Sequence, residues 1–93
     1  MQKEVNQAKD VSSLIKDAQS LEKSGKLDEA AELYKKAIVI IPDTAEAYLG
    51  LANIYRENND SDNEIKILKQ AIKEIGNNKI KNEFVARLKE ING

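Results

Sequence analysis

The chain has no cysteine and no histidine among its 93 residues. Without cysteine there is no disulfide framework, no thiolate metal site and no thiol nucleophile. Without histidine the commonest general base is gone, and with it the usual activator of a serine hydroxyl. Ser12, Ser13, Ser20, Ser24 and Ser61 therefore have no activating partner. Carboxylate pairs such as Asp28 and Glu29 fall at helix starts, where capping accounts for them. Catalysis is not expected, and neither a cofactor nor a metal is implied. The stretch Asp60-Ser61-Asp62-Asn63-Glu64 imitates the start of a calcium loop. Ile65, however, occupies the obligatory glycine site and Ala71 the bidentate glutamate site.

Proline and glycine are scarce, at one and four residues, and strand-like alternation of β-branched and aromatic residues is missing. Both absences favour long helices. No apolar run approaches the roughly 18 residues of a membrane helix. The opening residues, MQKEVNQAKD, lack the apolar core of a signal peptide. No membrane partner is expected, and the expected location is cytoplasmic. A net charge of −1 provides no field for a sequence-independent grip on nucleic acid, so none is expected as a partner. What remains, 41% hydrophobic and 33% charged, describes one small soluble helical domain.

Hydrophobic spacing places five helices. Residues 1–10 are polar and are expected to be loose or to extend the first helix. The first helix, from about Val11 to Ser24, carries Leu14, Ile15, Ala18 and Leu21 as one stripe. Gly25 ends it. The second begins around Asp28 and carries Ala30, Tyr34, Ala37, Ile38 and Ile41 before Pro42 stops it. Asp43 is expected to cap the third helix, with Glu46 reaching back. That helix runs to about Asn58 and carries Tyr48, Leu51, Ala52, Ile54 and Tyr55. Ser61 with Glu64 reads as a second capping box. The fourth helix then presents Ile65, Leu68, Ala71, Ile72 and Ile75 as far as Gly76. A fifth, about Lys79 to Asn92, carries Ile80, Phe84, Leu88 and Ile91. Turns this short force sequence neighbours to pack antiparallel.

Shifting the sequence on itself by 34 residues lays like on like: Leu14 on Tyr48, Ala18 on Ala52, Ala37 on Ala71, Ile38 on Ile72, Ile41 on Ile75. One further shift lays Leu51 on Val85 and Ala52 on Ala86. The run Tyr48-Leu49-Gly50-Leu51-Ala52-Asn53-Ile54-Tyr55 matches the aromatic-x-x-Leu-small-x-x-Tyr signature of the tetratricopeptide repeat family. Ala30, Tyr34, Ala37 and Pro42 match its second-helix signature. The chain thus resembles that family, with repeats at 11–44 and 45–78 and a C-terminal capping helix over 79–93. The resemblance implies an all-α fold of antiparallel helix–turn–helix repeats wound as a right-handed superhelix of about five helices. Three positions depart from the pattern. Asp17 stands where Leu51 does. Asn59 replaces Gly25 but tolerates the left-handed backbone. Glu64 stands where Ala30 does; burying it would be costly, and a cap against Ser61 would hold it at the helix start.

The resemblance also implies function: a non-catalytic module that binds a peptide segment of another protein in the concave groove lined by the first helices. Carried over position by position, the groove comprises Ile15, Gln19, Glu46, Leu49, Asn53, Arg56, Ile80 and Arg87. Ile15, Leu49 and Ile80 would be apolar anchors in a polar rim. Family members that hold a chaperone's C-terminal carboxylate use lysine, asparagine and arginine; here those sites read Ile15, Gln19, Gly50, Ile80 and Phe84, so that clamp is absent. The alternative is self-association through the exposed ends of a short array, with Phe84, Leu88 and Ile91 forming part of the surface. Lys66, Lys69 and Lys73, at i, i+3 and i+7, read as a solvated face.

Overall fold

In the computed structural model, the described residues are 7–92, with side chains for 9–91. Of the polar segment 1–10, residues 1–6 lie outside the described part, and the remainder belongs to the first helix. Among the described residues the elements are α1 (Gln7–Lys23), α2 (Leu27–Ile40), α3 (Ala45–Glu57), α4 (Ser61–Glu74) and α5 (Asn78–Asn92). Each helix packs on its sequence neighbours, and α1 also touches α3. The first helices of the hairpins therefore share one face, with α2 and α4 behind them. Such stacking is extended: the molecule measures 53 × 32 × 17 Å and its radius of gyration is 13.7 Å. A globule of this length would have a radius nearer 12 Å.

The 34-residue period governs the turns. Gly25 takes φ +81° and Asn59 takes φ +59°, both left-handed. At the first, the Lys26 N–H donates to Leu21 O at 2.8 Å and the Gly25 N–H to Glu22 O at 3.0 Å; at the second, Asp60 donates to Tyr55 O at 2.8 Å and Asn59 to Arg56 O at 3.0 Å. This paired pattern satisfies carbonyls that a helix end would otherwise orphan. The period also governs the core. Ala18 and Ala52, and Ala37 and Ala71, are wholly buried, so backbones approach closely there. Tyr34, Tyr48, Leu51, Ile54, Leu68 and Ile75 fill the space between. Ala86 breaks the correspondence with Ala52 and is exposed, because among the described residues no helix packs on the far side of α5.

Two expected caps are built differently. Thr44, not Asp43, precedes α3 and makes no side-chain cap bond. The Asp43 carboxylate instead accepts from the Gly76 N–H at 3.2 Å, tying the turn after α2 to the turn after α4. At α4 the cap is Asp60, which accepts from the Asn63 N–H at 3.2 Å and from the Asn63 side-chain amide at 2.7 Å. Ser61 is already helical. Glu64 is thus not held out at the helix start but is buried, at 4% exposure. Its oxygen accepts from Arg56 Nε at 3.1 Å and lies 3.5 Å from Arg87 Nε. Two guanidinium groups thus face one buried carboxylate, Arg56 through a hydrogen bond and Arg87 through charge alone, its Nε being buried without a hydrogen-bond partner.

Candidate partner-binding groove

The inner face is built by α1, α3 and α5, and its floor comes partly from behind. Tyr34 projects from α2 between α1 and α3. Its ring lies against Gly50, where an added Cβ would come within 2.3–2.7 Å of three ring carbons. Its hydroxyl donates to the Glu22 carboxylate on α1. Burial pushes the Tyr34 phenol well above its ordinary value, and the Glu22 hydrogen bond and the charges of Glu22 and Glu46 push it further. Tyr48, on α3, is also wholly buried and donates to Pro42 O at 2.7 Å, which fixes the turn before its own helix.

Leu49 stands on the ridge of α3, 45% exposed. Depressions flank it on both sides. Toward α1 lies one of about 180 Å³ over Gln19, Glu22, Tyr34, Gly50 and Asn53. Toward α5 lies one of about 220 Å³ walled by Ile80, Phe84, Glu46, Glu83 and Arg87. A third, of about 280 Å³, continues along α1 past Ile15 and Lys16. Glu46 borders all three. The result is a track crossing three helices, with one apolar side chain standing proud at its centre.

The sequence matches the model of the TPR repeat over residues 19–59 and that of the tetratricopeptide repeat over residues 45–78. The chain belongs to the tetratricopeptide repeat family. Neither a curated protein nor a solved structure matches it. Tetratricopeptide repeats generally mediate protein–protein interaction, and the family is typically non-catalytic. Among the described residues no helix is long and apolar enough to cross a membrane.

Within this tetratricopeptide fold the residues named from the sequence separate into groups. Gln19, Glu46, Leu49, Asn53 and Arg56 are exposed, and Ile80 is half-buried. Ile15 is not a free anchor: at 6% exposure it belongs to the core, under the stripe that α1 lays against its neighbours. Arg87 is mostly buried and committed. Its Nη2 donates to Asn53 Oδ1 at 2.7 Å, 34 residues away on α3, while Nε faces Glu64. Phe84, expected on a self-association surface, is 5% exposed and packs into the core. The absence of a side chain at position 50 has a local cause, since the Tyr34 ring occupies the space one would need. Sequence reasoning missed the Glu64–Arg56–Arg87 cluster. Its one signal was a glutamate at a position where the period calls for alanine.

Proposed function

We propose that this chain is a non-catalytic interaction module that binds a peptide segment of a partner protein along the α1–α3–α5 face. The observation that carries the reading is Leu49, a large apolar side chain left half exposed with a depression on either side. Contiguous apolar surface rimmed by polar residues marks interaction sites, and Leu49 lines one depression together with Ile80 and Phe84. An extended segment laid across the track would meet Leu49 and Ile80 and could bond to Gln19 and Asn53. A larger depression, of about 320 Å³, lies on the opposite face between α2 and α4, bordered by Val39, Lys35 and Lys66. The inner depressions, by contrast, share Glu46, and the two beside Leu49 share that side chain as well.

The test uses short random peptides displayed on phage and selected on the immobilised chain. The selected peptides are then synthesised. Leu49→Ser should weaken their binding at least about tenfold, the loss typical of an interface hot spot, with the helical circular dichroism unchanged. Full affinity in that variant refutes the reading.

A further inference from the structure

The depression between α3 and α5 has an ordered chemistry. Glu46 and Leu49 on α3 correspond by the period to Ile80 and Glu83 on α5, each pair being 34 residues apart. Along α3 the order is acid then apolar; along α5 it is apolar then acid. Each wall therefore offers one apolar side chain and one carboxylate in opposite order, with Phe84 beneath. Glu46 and Glu83 are both exposed, and neither is in an ion pair among the described residues. Arg87 lines the same depression, but its guanidinium pairs with Glu64 rather than with either of them. Arg56 and Arg87 share the Glu64 carboxylate, and Arg87 is held further by Asn53. Lys16 shares the α1-side depression with Glu46 but does not line the one between α3 and α5. Toward α1 the acidic character continues with Glu22.

We infer that the groove takes a basic segment: an aliphatic side chain seated between Leu49 and Ile80, with lysine or arginine on either side of it facing Glu46 and Glu83. The inference rests on the groove reading above and specifies its partner. An apolar anchor alone would fit many peptides; the crossed carboxylates favour those with flanking cations and oppose acidic ones, which is how charge gives an interface its selectivity. Arginine would suit either position best, because its planar fork bonds a carboxylate through two N–H groups.

The same phage-displayed random peptides supply the test. Selection on the wild-type chain should enrich an aliphatic residue with lysine or arginine on both sides. A synthetic peptide of the enriched sequence should bind Glu46→Gln/Glu83→Gln roughly fivefold more weakly, the value of two exposed ion pairs, and should weaken as salt rises. Both substitutions are on exposed side chains, so folding is not at risk. Enrichment of acidic or uncharged flanks, or unchanged affinity in the double variant, overturns the inference. If those peptides are still rejected by Leu49→Ser, the groove stands and only its charge selectivity falls. If Leu49→Ser binds them fully, or nothing is enriched, both fall.

Discussion

Gly50 is where three helices meet, and it carries the sharpest prediction at the scale of a residue. The Tyr34 ring fills the space of its absent side chain. A methyl group there must displace a ring packed at 1% exposure and tied by its hydroxyl to Glu22. Gly50→Ala should therefore cost about 1–3 kcal/mol, the usual cost of overpacking, although alanine is the better helix former. Urea unfolding checks this, and an unchanged midpoint contradicts it. The same tyrosine gives a pH dependence. Burial holds the Tyr34 and Tyr48 phenols above their ordinary value. A phenol whose folded value is raised keeps its proton longer in the native state. Its contribution is complete below the unfolded value of about 10 and is lost as pH rises toward the folded one. Stability measured by urea should fall above about pH 10 and fall less steeply in Tyr34→Phe; identical profiles would rule out Tyr34 as a source.

At the scale of an element, α5 is attached by more than its apolar stripe. Glu64 joins α4 to Arg56 on α3 and Arg87 on α5. Glu64→Ala restores the small residue that the period calls for but leaves Arg87, at 15% exposure, facing no carboxylate. Because Arg56 is half exposed and solvent screens it, the loss should be about 1–3 kcal/mol, below that of a fully buried pair. Amide exchange should speed up most in α5; uniform exchange across all helices would contradict this. This cluster also marks how far the sequence could be read. The helices, the left-handed turns at Gly25 and Asn59 and the alanine contacts were legible because residue sizes recur at one spacing. Glu64 was legible as an exception but not as a buried ion, since its partners lie on two other helices and Ser61 offered a nearer explanation. The burial of Ile15, which still borders the α1-side depression, was not legible for a related reason. Spacing within α1 defines a stripe, but how far that stripe turns under α3 depends on the stacking angle.

At the scale of the whole molecule, the five helices of the described residues form a slab in which each hairpin buries its apolar face against its neighbours. Phe84 is the largest side chain that α5 contributes to the core. Phe84→Ala should cost about 3–5 kcal/mol, a large share of the stability of so small a domain. Thermal unfolding followed by circular dichroism should show a markedly lowered midpoint; a shift of a few degrees or less would place Phe84 outside the core. The central claim is that the α1–α3–α5 face receives a peptide. Its most direct measurement is a nitrogen–proton correlation spectrum of the chain titrated with a peptide selected from the random library. Shifts concentrated at Glu46, Leu49, Asn53, Ile80 and Glu83 are the predicted result. Shifts concentrated instead around Val39, Lys66 and Ile67 on the opposite face would contradict it.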